Sequence, residues 1–279
     1  MQDAGIFRLF PGGRIGDAAR VPSSLEMLVL FAAACAAGAM NAVAGGGTII
    51  TFPVLIGFGM PSIQANATST LALFVGIIGS LYGYRGHLHA SRRWLGKFAP
   101  VSIVGGLLGA WLLTCTEPKV FDALVPFLIF FATVLFLLSD VFRRLAGFEA
   151  LAAGKSLAAF TVAAMVLQFG VAVYGGYFGA GIGILMLASL GLLGLQNIHE
   201  MNTIKTVLAA LINLVATGYF IWAGIIVWPQ AAVMTVGATA GYYFGASFAQ
   251  KIPQSRVRMI AGLIGILISF VFFWRQFLA

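Results

Sequence analysis

A chain of 279 residues that is 61% hydrophobic and only 9% charged, with a mean hydropathy of +1.00, has too little polar surface to coat a water-soluble globule. Soluble domains carry about 25% charged residues. The net charge of +8 does not point to nucleic acid. The basic residues fall in short clusters between apolar runs, as Arg92, Arg93 and Lys97 or Arg143, Arg144 and Lys155 do, which is the loop pattern that sets membrane topology. The chain reads as an all-α polytopic membrane protein.

Residues 1–24 form a polar tail without a long apolar core, so no cleavable signal peptide is expected. Eight apolar segments follow, at 25–57, 62–85, 95–114, 120–141, 156–194, 198–222, 229–249 and 256–275. A membrane span needs about 20 such residues. Pro- and Gly-marked turns separate several of them, such as Gly57-Phe58-Gly59-Met60-Pro61 and Thr116-Glu117-Pro118. With eight spans, the tail and the loops at 86–94 and 142–155 share a side and carry most of the Lys and Arg. That side is expected to be cytoplasmic, with both termini inside.

Two segments are too long for one crossing. As a straight helix, 25–57 would measure roughly 50 Å at about 1.5 Å per residue, against a hydrocarbon core of about 30 Å. Both long segments carry glycines near the middle: Gly45-Gly46-Gly47 in the first, and Gly175, Gly176, Gly179, Gly181 and Gly183 in the second. Two helices interrupted at corresponding places, the first and the fifth, are the natural expectation. Irregular backbone at membrane depth is tolerated only where protein or a water-filled cavity surrounds it. Paired interruptions in two halves point to a transporter's binding site.

The halves align at an offset of 136. Ala44-Gly45-Gly46-Gly47 falls on Ala180-Gly181-Ile182-Gly183, and Asn66 falls on Asn202 within matched hexapeptides. This predicts two homologous four-helix units, 25–145 and 156–279. Four spans per unit would make the repeats parallel.

After each interruption comes a turn and a new helix with polar residues in its first two turns. Asn66, Ser69 and Thr70 share one face, and Asn202, Lys205 and Thr206 repeat that spacing. Asn213 returns to nearly the same face. Helix N-termini, loosened glycine backbone and a lysine suit a small anion. The expected site comprises Asn41, Gly45, Gly46, Gly47, Asn66, Thr68, Ser69, Gly181, Gly183, Asn202, Lys205 and Thr206. Asn66 and Asn202 can also bond across helices, and Lys205 can snorkel to the surface. His199 and Glu200 read as an interfacial residue and a cap rather than a proton relay. Cys35 and Cys115 read as packing residues, with no Cys/His spacing suited to a metal. GAGIG at 179–183 sits in an apolar segment, where a dinucleotide-binding reading fails on context.

NAVAGGGTIITFPVLIGFGMPSIQANATST (41–70) and YFGAGIGILMLASLGLLGLQNIHEMNTIKT (177–206), with YGYRGHLHASRRW (82–94) after the first, resemble the TauE/SafE family of sulfite-exporter-like anion permeases. The resemblance runs over roughly 25–275. It implies a multi-pass protein of the bacterial inner membrane with about eight helices in two related halves, moving sulfur-containing or organic anions such as sulfite, sulfonates or sulfoacetate. The function expected is a transporter or facilitator using alternating access at a mid-membrane site, without enzymatic activity or a bound cofactor. Its partners would be a small anion and the lipid bilayer, with proton coupling and oligomeric state left open. The alternatives are a passive anion channel and a membrane-embedded enzyme or thiol relay, for which Cys35 is the candidate group.

Overall fold

A computed structural model of the chain describes residues 22–43, 45–83, 88–138, 157–191, 195, 198–248, 263, 266–267, 269–271 and 273–274. Residues 1–21, 86–87 of the expected 86–94 loop, the 142–155 loop, the Lys251–Arg258 cluster and most of the expected last span lie outside the described residues, while 88–94, expected as loop, are helical.

Among the described residues all regular structure is α-helical. In chain order the helices are α1 (Ser24–Val43), α2 (Thr48–Gly57), α3 (Ser62–Gly83), α4 (Leu88–Cys115), α5 (Pro118–Leu137), α6 (Leu157–Tyr177), α7 (Ile182–Gly191), α8 (Ile198–Trp222) and α9 (Trp228–Phe248). Local chemistry sets their ends. The Glu26 N–H donates to Ser23 Oγ (3.3 Å) and the Ser23 N–H to Glu26 Oε2 (2.8 Å), a reciprocal cap at the start of α1. Pro118 opens α5, where its missing N–H costs nothing.

Four described stretches are long and apolar enough to cross a membrane: Ser24–Ala42, Ser91–Cys115, Pro118–Leu135 and Glu200–Trp222. Thr48–Gly57, Ser62–Ile78 and Thr161–Tyr177 are shorter apolar helices. The outer faces carry exposed Leu28, Val104, Trp111, Phe127, Phe130, Val166, Val236 and Phe244. Such a surface suits lipid contact, where backbone groups are satisfied within the helices. At the start of α4, Lys97 Nζ and Arg93 Cζ lie 5.5 and 5.7 Å from the Trp94 ring centroid, an arrangement typical of a membrane boundary.

The long 25–57 segment is not one rod. After Val43 the chain turns, and Gly47 comes back beside Ala37 and Asn41, so tightly that a side chain at Gly47 would meet the Ala37 carbonyl oxygen at 2.7 Å. In a continuing helix those two residues would stand about 15 Å apart. The second long segment behaves alike: Ile182 lies against Gly175, at the end of the preceding helix. Each long helix is therefore followed by a short one of 10 residues that turns back on it.

Two seams hold the bundle together. Gly237, Gly241 and Gly245 of α9 stand so close to α1 that any side chain would overlap the backbone at Phe31, Cys35 and Ala39. Gly105 and Gly109 of α4, against Phe169 and Val173 of α6, and Gly176 of α6, against Gly106 of α4, form the second. Small residues at four-residue spacing let backbones approach closely, which gains van der Waals contact where lipid supplies no hydrophobic driving force. α3 packs on α9 and α4 on α8, while α3 and α8 meet in the middle. Beyond the first turn, Phe52, Phe121 and Phe178 form a buried aromatic cluster, with Phe52 and Phe178 edge-on at 5.3 Å.

Candidate functional site

The backbone turns place the two short helices. Gly45 and Gly46 have φ of +83° and +97°, and Gly179 and Gly181 have +79° and +76°. Residues with a Cβ adopt that region at a cost, so glycine is the residue that fits. The two turns face each other: a Cβ on Gly45 would be 3.7 Å from the Gly183 Cα.

Between them lies a cavity of about 60 Å³. A single water needs roughly 10–15 Å³ by the same kind of measure, so there is room for a compact ion. Thr48 and Ile182, the first residues of α2 and α7, both line it. Two helix N-termini thus open onto one small space. Asn41 from α1, Gly45, Gly46 and Gly179 from the turns, Gly183 from α7, Thr70 from α3, Lys205, Thr206 and Asn213 from α8 and Tyr242 from α9 supply its polar and backbone wall. Leu73, Ile77 and Ala209 close the apolar side. Among the described residues lining it, Lys205 is the one that carries a charge, and it is only 8% exposed.

Asn41 fastens the first turn. The Gly47 N–H donates to Asn41 Oδ1 (2.7 Å), and Asn41 and Tyr242 both line the cavity. The Tyr242 ring sits where a Gly76 side chain would otherwise be.

Of the residues expected from sequence, Asn41, Gly45, Gly46, Gly183, Lys205 and Thr206 come together here. The others lie outside the lining and have other partners or positions. Gly47 is held behind it by Asn41. Asn66 Nδ2 donates to the Tyr177 carbonyl (2.9 Å), and its buried Oδ1 has no hydrogen-bond partner among the described residues. Thr68 Oγ1 accepts the Val227 N–H (3.1 Å). Ser69 Oγ is 2.6 Å from Thr51 Oγ1. Gly181 faces Ala132 of α5. Asn202 is half-buried, one turn before Thr206. The sequence-based site omits Thr48, Gly179 and Tyr242 altogether. Tyr242 falls on Gly106 at the 136-residue offset, and nothing in its own neighbourhood distinguishes it from a packing aromatic. Cys35 lies on the α1–α9 seam, outside the lining. No group of three or more His, Cys, Asp or Glu side chains suited to a metal occurs among the described residues.

Apolar helices of membrane-crossing length, packed around a small polar cavity, define a polytopic helical membrane protein. Residues 30–272 match the family described as Sulfite exporter TauE/SafE. The chain belongs to that family and is a membrane transporter of its type. Among curated proteins it is 27% identical to "Probable membrane transporter protein ORF9" of Sinorhizobium sp over 256 residues, covering 86% of this chain and 89% of the relative. It is 27% identical to a "Probable membrane transporter protein" of Haemophilus influenzae over 249 residues, 87% and 92% of the two chains. With "Probable membrane transporter protein YfcA" of Escherichia coli K12 it shares 28% over 255 residues, 88% and 89% of the two chains. No solved structure matches it.

Proposed function

We propose that this protein carries small oxyanions, sulfite-like or sulfonate-like, across the bacterial inner membrane by alternating access at the cavity between the two glycine turns. One observation carries the reading: two helix N-termini and the Lys205 ammonium converge on a single cavity of about 60 Å³. Helix N-termini carry a partial positive charge that favours an anion. Ionisable residues inside membrane spans are rare and are kept for a function or a partner, which favours a functional reason for Lys205. The cavity lining brings no carboxylate that would suit a metal cation.

The binding residues in this reading are Asn41, Gly45, Gly46, Thr70, Gly183, Lys205 and Thr206. On α3 it is Thr70, rather than Asn66 or Ser69, that reaches the cavity. The scaffold in this reading is two related units, 25–145 and 156–279, that together make eight crossings. The element order supports this: α3 opens at Ser62 and α8 at Ile198, 136 residues apart, and each follows a short turned-back helix. The packing supports it too. The seam of α1 with α9 has its counterpart in α6 with α4, and the pairing of α3 with α9 in that of α8 with α4.

The test is flux of labelled sulfite, sulfate, thiosulfate, taurine and sulfoacetate into proteoliposomes holding the purified protein. A carrier gives saturable uptake of at least one of them, accelerated by the same anion loaded inside. Non-saturating uptake that follows voltage alone makes the protein a channel.

A further inference from the structure

We infer that Asn66 and Asn202 are positioning residues that act as alternate latches, each closing one end of the protein by capping the long helix that stops at the facing glycine turn. The inference rests on the alternating-access reading and deepens it. In this structure the Asn66 latch is made. Its Nδ2 donates to the Tyr177 carbonyl (2.9 Å), and Tyr177 is the last residue of α6. The final carbonyls of a helix have no partner within it, and here a side chain from α3 supplies one. Asn66 is only 1% exposed. Beside the bond, Phe178 packs on Phe52 of α2 (5.3 Å) and on Phe121 of α5 (6.4 Å), and the next residue, Gly179, lines the cavity. Bond and rings together seal the cavity from that end.

The counterpart of Asn66 is Asn202, the fifth residue of α8 as Asn66 is the fifth of α3. The counterpart of Tyr177 is Val43, the last residue of α1. The turns that follow fix this pairing: Gly45 and Gly179 both have positive φ, and their N–H groups reach back five residues to the Met40 and Tyr174 carbonyls, at 3.2 Å each. The equivalent bond, from Asn202 to the Val43 carbonyl, is not made. Asn202 is half-buried and has no hydrogen bond among the described residues. Ala44 follows Val43 where Phe178 follows Tyr177, so this turn brings no ring. The two latches stand at opposite ends. The Val227 N–H, just past α8, donates to Thr68 Oγ1 near the start of α3 (3.1 Å), so α8, 25 residues and roughly 37 Å long, carries Asn202 away from Asn66. The first unit makes five passes, four long helices and the short return α2, so the second runs in the opposite sense, where four passes would have left the repeats parallel. Packing then makes the latches exclusive. α3 belongs with the α1–α9 seam and α8 with the α4–α6 seam, so each latch joins one packed group to the other. Rocking between the groups makes one bond as it breaks its counterpart.

The experiment uses the full chain carrying Cys35→Ala and Cys115→Ala, with Asn213→Cys as a reporter in the cavity wall, in sealed proteoliposomes of uniform orientation. A membrane-impermeant maleimide is applied from either side, and the ratio of the two labelling rates is the readout. This parent protein labels from both sides, faster from the Asn202 end. The net worth of a hydrogen bond is roughly threefold to tenfold in an equilibrium. Asn66→Leu removes the bond at similar volume and shifts the ratio by that factor toward the Asn66 end. Asn202→Leu shifts it by a similar factor the other way, and the double variant returns it to the parent value. A role in packing alone lowers the melting temperature of each variant without opposite shifts. If neither variant moves the ratio, or both move it the same way, the latches are overturned while two-sided access stands. A parent protein that labels from one side only overturns alternating access at this cavity, and the latches fall with it.

Discussion

Helices α3 and α8 occupy matching places after their short helices, yet they treat the same register position oppositely. Ser69 on α3 turns into the protein and closes a 2.6 Å hydroxyl pair with Thr51 of α2. Lys205, its counterpart 136 residues on, faces the cavity. One residue later the two helices agree: Thr70 and Thr206 both line the cavity. Two similarly placed helices can share one wall while charge is confined to one of them. A second buried ammonium would double the desolvation cost and repel the first. A hydroxyl in its place ties α2 to α3 and asks nothing of the ligand.

The largest expected effect breaks the scaffold common to both sides. Gly46 is buried and has φ of +97°. Gly46→Val forces a β-branched residue into a region it avoids, a strain of about 1–3 kcal/mol, and fills the cavity wall. The variant should insert into membranes and show no measurable anion flux. Wild-type flux would mean that the glycine turn serves packing alone.

Next comes the side that differs. Lys205→Gln keeps a donor of similar length and removes the charge. Flux at low anion concentration should fall by about a hundredfold or more, in line with a charge-assisted bond lost in a dry site. Lys205→Arg should retain part of it. A Gln variant with wild-type transport kinetics would place the ammonium's role elsewhere.

The smallest effect falls on the quiet side. Ser69→Ala removes one member of a buried hydroxyl pair and should cost about 1 kcal/mol of stability, measured by thermal denaturation in detergent. Anion affinity should stay at the wild-type value. A loss of affinity with unchanged stability would instead bring Ser69 into the binding site and erase the asymmetry between α3 and α8.

The sequence made the helical membrane class, the glycine turns and Lys205 legible, each for a physical reason. Hydropathy reports lipid exposure, glycine clusters report backbone that cannot stay helical, and a charge inside a span is costly enough to stand out. Depth along a helix was less legible than face. Asn66 and Asn202 lie on nearly the same stripes as Thr70 and Thr206 but one turn earlier, beyond the cavity. Only the packing of α3 and α8 against the turns decides which turn of each helix meets it. Nor does periodicity reveal that the chain reverses at Gly47 rather than continuing as an interrupted rod, because a kink and a reversal use the same residues. Tyr242 comes from a separate helix, where an aromatic residue is ordinary, and its place in the cavity wall depends on a gap at Gly76 more than 160 residues away.

The two glycine seams carry a mechanical consequence. α1 is bonded tightly to α9, and α6 to α4, so each seam joins an early stretch of chain to a late one. The parts that swing as units during transport would therefore be interlocked pairs drawn from both ends of the polypeptide, in the manner of two clasped hands. Such a protein cannot be parted at its midpoint into self-sufficient pieces.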